Sequence, residues 1–345
     1  MKKIKIGIVG DQFGNVFRGG AEVQLEKTVL YLQKTGEIET EFISYKTRSV
    51  SDFDIIHFFK SMPEFAPFAY SLKKMNIPYV VSTVTIPKNY TKELFFYKAA
   101  SLLPKKWKHY WVAPAMRLDF WKNAARLFPN TDKEKEFVAA ASGADKNKII
   151  IIPNGLDLAE MPEENVSLCY EKFPELKNKK FILNVARIER RKNQKNMILA
   201  AQELDIPVVI IGSILEQDYY QEIKQINYNK LYYLGPIFEK DLLFSIFSAC
   251  SLFCLPSMVE TPGIAAMEAA YYNKPIVITK NGGTKYYFKD TAYYVDWKNI
   301  GDIKQGIKTM LNKKVSTKEL ISEYSWDKIA SLYLNIYKKI QEEIL

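Results

Sequence analysis

The apolar residues of the chain fall in short, β-branched runs that alternate with amphipathic helical stretches. The strands predicted in the first half are Ile4–Val9, Glu41–Tyr45, Asp54–Phe58, Tyr79–Val84 and Lys148–Ile152. Those predicted in the second half are Phe181–Val185, Pro207–Gly212, Lys230–Leu234, Leu252–Pro256 and Pro275–Thr279. Apolar runs separated by helices are typical of parallel sheets covered on both faces. The pattern predicts an α/β fold with two doubly wound parallel-sheet domains, joined near residues 155–175.

Two loops that follow predicted strands carry groups suited to an anion. Gly19 and Gly20 open the predicted helix Ala21–Lys34, where backbone N–H groups can approach a ligand closely. The segment from Arg187 to Lys192 places four cations before another predicted helix. The helix dipole disfavours cations there unless an anion such as a diphosphate lies among them. A flexible turn and a solvated basic loop are the simpler alternatives.

The segment 256–269 predicts a helix that begins beside a ligand site. Thr261 is expected to cap this helix and Pro262 to be its first residue. Gly263 and Ile264 would then present free backbone N–H groups to a ligand. A capped helix without a ligand is the alternative.

Two carboxylates bracket the start of this predicted helix. Glu260 lies just before it, and Glu268 lies about two turns inside it. This arrangement suits recognition of hydroxyl groups, one carboxylate contacting a sugar and the other a ribose. The segment Asn281–Thr284, with its two glycines, follows the next strand and is a further candidate for backbone recognition of an anion or hydroxyl.

The charge of the chain is unevenly distributed. The whole chain carries +10, and residues 88–126 alone hold nine cations against two acids, together with nine aromatic residues. Such a segment is suited to an anionic membrane surface and a lipid-linked acceptor, whereas an ordinary charged surface over an aromatic core is the alternative. No nucleic-acid recognition motif is visible. The residues we assign to this surface are Lys105, Lys106, Trp107, Lys108 and Trp111.

The sequence gives few candidates for metal or redox chemistry. Three cysteines and two histidines argue against a disulfide framework or a structural zinc site, and no run of ~18 apolar residues predicts a membrane span. Asp52-Phe53-Asp54 has the Asp-x-Asp spacing of a possible metal site, but it precedes its strand and so lies at the wrong end of the sheet for a ligand. We therefore expect a cytoplasmic protein without a structural zinc site.

Four motifs in order resemble glycosyltransferase family 4. They are Arg-Gly-Gly-Ala-Glu at 18–22, Ile-Pro-Asn-Gly-Leu-Asp at 152–157, Arg187-x4-Lys192, and Glu260-x7-Glu268 followed by Gly-Gly. The resemblance covers nearly the whole chain and implies the GT-B fold, in which two Rossmann-like domains face each other across a cleft. It implies an acceptor-binding domain at 1–157, a nucleotide-sugar-binding domain at 158–325, and a C-terminal helix at 326–345 that crosses back to the first domain.

The resemblance also implies roles for individual residues. Arg187 and Lys192 would neutralise the departing diphosphate, and Glu260 would hold the transferred sugar. The donor-binding residues that it implies are Gly19, Gly20, Gly263, Ile264, Glu268, Asn130, Gly212 and Ile237. Among these, Glu268 would hold the ribose hydroxyls, and the last two lie where backbone groups would recognise the base.

One position departs from the family pattern. Many members carry a histidine after the strand predicted at Tyr79–Val84, in a Thr-Val-His-Asp context, where this chain has Thr85. The usual contact from that histidine to the donor sugar is therefore in doubt. Thr85 and His57 are the candidate sugar contacts, with a purely structural histidine as the alternative for His57.

The resemblance implies a retaining, metal-independent transferase that moves a hexose-type sugar from a UDP- or GDP-linked donor. The acceptor would be a hydroxyl of a glycan or lipid-linked molecule in surface polysaccharide or glycolipid synthesis at the inner membrane face. The alternatives are a catalytically silent nucleotide-sugar-binding subunit and a nucleotide-sugar epimerase of the same fold.

Overall fold

The computed structural model describes residues 3–10, 20–44, 46–85, 87, 90–102 and 113–343. The chain divides into two compact units. One comprises Met1–Gly155 together with Trp326–Leu345, and the other comprises Leu156–Ser325. None of the helices among the described residues is long and apolar enough to cross a membrane.

The first unit contains a five-stranded parallel sheet. Its strands are β1 (Ile4–Val9), β2 (Ile38–Phe42), β3 (Ile55–Phe59), β4 (Tyr79–Ser82) and β5 (Arg126–Phe128). Its helices include α1 (Gly20–Lys34), α2 (Ala66–Lys74), α3 (Tyr90–Ser101), α4 (Ala113–Asn123), α5 (Asp132–Ser142) and, at the end of the chain, α14 (Trp326–Glu342). The strand order is β2-β1-β3-β4-β5, so the direction of winding reverses between β1 and β3. All residues of β3 and β4 are buried, as expected for strands covered by helices on both faces.

The second unit contains a six-stranded parallel sheet. Its strands are β6 (Ile182–Val185), β7 (Val208–Ile211), β8 (Leu231–Tyr233), β9 (Leu252–Leu255), β10 (Ile276–Thr279) and β11 (Tyr293–Val295). The helices are α6 (Ser167–Lys172), α7 (Gln194–Gln202), α8 (Gln217–Lys224), α9 (Lys240–Ala249), α10 (Ile264–Tyr271), α11 (Thr284–Phe288), α12 (Ile300–Met310) and α13 (Lys318–Ser322). The strand order is β11-β10-β9-β6-β7-β8, which places the reversal between β6 and β9.

Three predicted strands of the first unit differ from the structure, and one of them, predicted at Tyr79–Val84, already ends at Ser82. The strand predicted at Glu41–Tyr45 runs from Ile38 to Phe42, because the buried side chain of Ile38 aligns with Ile4 of β1. The strand predicted at Lys148–Ile152 is reduced to a single bridge between Ile149 and Leu127. A longer parallel ladder needs an N–H at residue 129, where proline has none.

The predicted sugar contact His57 lies in the core and not at the surface. Its side chain is fully buried in the middle of β3. Nε2 lies 2.9 Å from Ser82 Oγ, and Nδ1 lies 2.7 Å from the hydroxyl of Tyr337 on α14. Burial lowers the pKa of His57 from its usual 6.5 to about 3. The alternation of β3 points this ring between the sheet and α14, where it ties the C-terminal helix to the first unit.

We expect this buried histidine to make the first unit sensitive to acid. Because the folded pKa is depressed, the unfolded chain takes up a proton below pH 6.5 while folded His57 stays neutral down to about pH 3. The free energy of unfolding should therefore fall by about 1.4 kcal/mol per pH unit across that window relative to His57→Gln. Chemical denaturation of both proteins between pH 7 and pH 4 measures the difference. Parallel profiles would show that the ring is not held neutral.

Candidate active site

The strands on either side of the reversal in the second sheet diverge towards their carboxyl ends. The β6–β9 ladder ends at Leu183 and Phe253. One residue later, the side chain of Asn184 bridges the strands, with Nδ2 donating to the carbonyl of Cys254 at 2.7 Å. Sequence inspection did not single out Asn184. Doubly wound sheets bind ligands in the crevice at this position.

The basic segment leaves β6 as a compact turn that folds against the β9 loop. Residues Arg190–Lys192 form a single 3-10 turn, ended by Asn193 in the left-handed conformation. Asn193 Nδ2 donates to the carbonyls of Pro256 and Trp297, at 3.0 and 2.7 Å. These bonds hold the basic turn beside the start of the β9 loop. Asparagine tolerates the left-handed region, so its presence after the cations was a usable sequence signal.

The two loops meet at an ion pair between Lys192 and Glu260. Lys192 Nζ lies 2.5 Å from Glu260 Oε1, and the two side chains are only 14% and 8% exposed. The guanidinium of Arg191 lies 3.9 Å from the same oxygen. Two of the predicted catalytic residues, separated by 68 positions in sequence, thus lie together. At a site this poorly hydrated, each charge interacts strongly with its neighbours.

The third predicted catalytic residue, Arg187, belongs to the same loop. Its guanidinium lies 3.5 Å from Glu189 Oε1, which also pairs with Arg191 at 3.0 Å. Glu189 is buried and was not singled out from the sequence. Glu189 is thus the one carboxylate within a segment that holds four cations. Glu189 and Glu260 limit the mutual repulsion of these cations.

The backbone of Glu260 is fixed by the glycine pair that follows β10. Glu260 N–H donates to Asn281 O at 3.2 Å, and Gly283 N–H donates back to Glu260 O at 2.9 Å. Gly282 between them has φ +94°, and a Cβ there would overlap the Glu260 carbonyl oxygen. The Gly283 amide, predicted to be open to a ligand, is instead used within the protein. These glycines allow a close backbone approach that positions Glu260.

The helix after β9 begins later than predicted. Gly263, at φ +82°, is the residue before α10, and the helix itself begins at Ile264. Thr261 does not cap it, because its hydroxyl donates to the carbonyl of Glu260 at 2.7 Å and accepts from Gly283 N–H at 3.1 Å. The first bond within the helix is donated by Ala266. The amides of Gly263 and Ile264 precede that bond, as the free N–H groups of a helix start do.

Glu268 lies in the second turn of α10 and is partly buried. Burial raises the pKa of Glu268 to about 7, with the Glu160 carboxylate raising it further and Lys240 opposing both. Glu160 and Lys240 form their own ion pair at 2.6 Å. A carboxyl whose pKa is raised this far by burial is a candidate for a functional role.

Gly212 and Ile237 lie beyond β7 and β8 of the same sheet. Gly212 has φ +149°, and a Cβ there would overlap the carbonyl of Ala186 at the start of the basic loop. Its N–H donates to Gly235 O, and its C=O accepts from Tyr233, so both backbone groups are used within the protein. Ile237 is partly buried and packs on the core. The structure thus gives Gly212 a role in packing neighbouring loops together.

The predicted site residues of the first unit fall into two groups. Gly20 begins α1 and is exposed, Asn130 follows β5 and is buried, and Thr85 follows β4 and is partly buried. Those that lie outside the described residues are Gly19, Lys105, Lys106, Trp107, Lys108 and Trp111. The Thr85 hydroxyl donates to the carbonyl of Thr83 at 2.9 Å.

Two family models match most of the chain. The model described as Glycosyltransferase Family 4 matches residues 19–160, and the model described as Glycosyl transferases group 1 matches residues 170–326. An uncharacterized glycosyltransferase of Methanocaldococcus jannaschii is 26% identical over 231 residues, which are 60% of this chain. The match spans 58% of that relative's length.

Solved structures with the same fold are similar over nearly the whole chain. Sucrose-phosphate synthase of Thermosynechococcus elongatus gives a TM-score of 0.75 at 14% identity, over 98% of this chain and 99% of that one. HepE of Anabaena, solved in complex with UDP-glucose, gives 0.70 at 18% identity, over 97% and 100%. With both family models in sequence order and the same fold throughout, the chain belongs to the family 4 glycosyltransferases of the GT-B type.

Proposed function

We propose that this chain is a retaining glycosyltransferase that moves a hexose-type sugar from a nucleotide-diphosphate donor to an acceptor hydroxyl. The observation that carries the proposal is the cluster of Arg187, Lys192 and Glu260 at the reversal of the second sheet. The cations suit a diphosphate, and the carboxylate suits the hydroxyls of a sugar. The similarity to a protein solved with UDP-glucose favours a UDP-linked donor, with a GDP-linked one as the second choice.

The proposed reaction uses the charges of the site. The bond between the anomeric carbon and the phosphate oxygen breaks, and its electron pair leaves with the diphosphate. Arg187 and Lys192 stabilise that developing negative charge, the kind of contribution that is usually the largest in such reactions. The acceptor oxygen attacks the face from which the diphosphate departs, and its proton passes to the departing phosphate oxygen. Glu260 and the amides of Gly263 and Ile264 hold the sugar, and no metal is required.

Glu268 supplies a pH dependence for donor binding. If its carboxylate accepts the ribose hydroxyls, donor binding requires the ionised form, which forms as the pH rises through about 7. The dissociation constant for the nucleotide sugar should therefore be about tenfold higher at pH 6 than at pH 8, which means weaker binding at the lower pH. Calorimetric titration of wild type and Glu268→Gln, with an intact nucleotide sugar, measures this. A profile that is the same in both proteins would remove Glu268 from the donor site.

We further propose that the acceptor is presented at the inner face of an anionic membrane, to which the protein binds peripherally. The side chain of Phe95 on α3 is 67% exposed, and that of Leu102, the residue after this helix, is 84% exposed. The exposed cations Lys92 and Lys98 also lie on α3. Exposed aromatic and apolar side chains beside cations suit an anionic lipid surface. Sedimentation with anionic but not zwitterionic vesicles, reduced in Phe95→Ser, is the expected result. Equal binding to both vesicles would contradict it.

A thermal-shift screen tests the donor. UDP, GDP, ADP, CMP and dTDP are compared with and without EDTA. Ligand at ~100 times its dissociation constant should stabilise the protein by about 2.7 kcal/mol. A selective shift that EDTA leaves unchanged is expected, and the absence of any shift would contradict the proposal. Selective binding without turnover would instead indicate a silent binding subunit.

A further inference from the structure

A buried carboxylate in the first unit joins two loops that follow neighbouring strands. Glu134, in the first turn of α5, is 3% exposed. Its Oε1 accepts from Thr83 Oγ at 2.5 Å and from Thr85 N–H at 2.7 Å, both in the loop after β4. Its Oε2 accepts from Asn130 N–H at 2.8 Å, in the loop after β5. Nothing in the sequence motifs pointed to this residue.

The loop that Glu134 holds contains a strained residue. Val84 has φ +41°, a region that β-branched residues avoid. The residues on both sides of it donate hydrogen bonds to the same carboxylate oxygen. Strain of this kind persists only where the surroundings impose it, and it concentrates at functional sites.

The same network reaches the start of α1. The side-chain amides of Asn130 and Gln24 form a reciprocal pair, at 2.9 and 3.3 Å, and both residues are buried. Gln24 lies one turn after Gly20, the glycine that begins α1. Three segments that carry predicted site residues, namely Gly20, Thr85 and Asn130, are therefore linked through Glu134.

Glu134 does more than complete the start of its own helix. Thr131 caps α5 by accepting from Glu134 N–H at 3.2 Å. In a capping box the glutamate would return to the N–H of the cap residue itself, but here it reaches Asn130 and a separate loop. Among the described residues no cation pairs with it, and burial raises the pKa of Glu134. A buried carboxylate without a cation is unfavourable for stability, which argues for a positional role.

We propose that Glu134 is a positioning residue that fixes Thr85 and Asn130 for the transfer step. The inference rests on the proposed function, because it assigns these two residues to the transfer step proposed above. The network does not include Arg187, Lys192 or Glu268, to which we assign the diphosphate and the ribose, so loss of Glu134 should slow transfer without weakening nucleotide binding. The Glu134→Gln side chain cannot accept all three bonds, since its NH₂ group would face an N–H donor.

The test compares Glu134→Gln with Glu136→Gln, an exposed glutamate on the same helix. We expect Glu134→Gln to lower kcat about 10- to 100-fold, as small misplacements of catalytic groups do, with nucleotide affinity within twofold of wild type. Amide exchange at Thr85 and Asn130 should accelerate in this variant and stay unchanged in Glu136→Gln. Thr83→Val, which removes one donor, provides a milder second variant with a smaller loss of kcat in the same direction.

The outcomes separate this inference from the proposed function. An active wild type with unchanged kcat in Glu134→Gln and Thr83→Val would overturn the positioning role alone. Equal losses of kcat and nucleotide affinity would also overturn it, because they would indicate general damage. A wild type that neither binds nor turns over any nucleotide sugar would overturn both proposals.

Discussion

Lys192→Ala is expected to lower kcat/KM for the nucleotide sugar by about 10²- to 10³-fold, because in the proposed mechanism it removes a cation from the developing diphosphate charge. The substitution also leaves Glu260, only 8% exposed, without the partner that lies 2.5 Å away. Breaking a buried charge pair from one side costs roughly 3 kcal/mol of stability, reduced here by the nearby Arg191. Steady-state kinetics and chemical denaturation measure the two effects.

Lys195→Ala is the matched control. This lysine lies three residues further on, is 43% exposed and pairs with Glu222. Its loss should leave kcat/KM within about twofold of wild type, as for most exposed pairs. The double variant Lys192→Ala/Glu260→Gln should recover part of the lost stability, since no unpaired carboxylate remains, but none of the activity. Equal activities of Lys192→Ala and Lys195→Ala would contradict the assignment.

Gly282→Ala is expected to lower the free energy of unfolding by about 3 kcal/mol, a larger effect than most single substitutions. An added Cβ would overlap the carbonyl oxygen of Glu260, and φ +94° is unfavourable for any side chain. Because the same carbonyl accepts from Gly283, relief of the overlap must move Glu260. Activity should therefore fall with stability, as measured by denaturation and donor kinetics.

Gly235→Ala separates strain from overlap. Gly235 also has a positive φ, +72°, but no atom lies within 4 Å of an added Cβ. Its substitution should lower the free energy of unfolding by only about 1 kcal/mol, which is the cost of placing an alanine at positive φ. If the two alanine variants were equally stable, the close approach of Gly282 to Glu260 would not exist in solution.

The two-sheet fold was predictable because buried parallel strands are apolar throughout, and the pattern occurs twice. The predicted strand Tyr79–Val84 was too long because Val84 takes a left-handed conformation, between two residues that donate hydrogen bonds to the distant Glu134. The strand predicted at Lys148–Ile152 failed because its neighbour β5 is followed by Pro129, which has no N–H to donate. A periodic apolar pattern indicates burial, but it does not show whether a neighbouring strand has the N–H groups to donate hydrogen bonds.

The meeting of the basic loop with the loop after β9 was predictable at the level of loops and not of individual contacts. Charge spacing pointed to Lys192 and Glu260, which the structure pairs. It did not reveal Asn184 or Glu134, whose partners lie 70 and up to 51 residues away. His57 was ambiguous for the same reason, because its partner Tyr337 lies 280 residues away. Buried polar networks depend on tertiary contacts that no local pattern encodes.

The most direct test of the central claim is time-resolved proton NMR of the sugar that the protein releases from UDP-glucose. The second donor is a sugar linked to the nucleotide that gives the largest thermal shift. Water serves as a slow acceptor, so no acceptor need be known. A retaining transferase releases first the same anomer that the donor carries, and Lys192→Ala should release it at least 100-fold more slowly. Release of the opposite anomer, or equal rates in wild type and Lys192→Ala, would contradict the account.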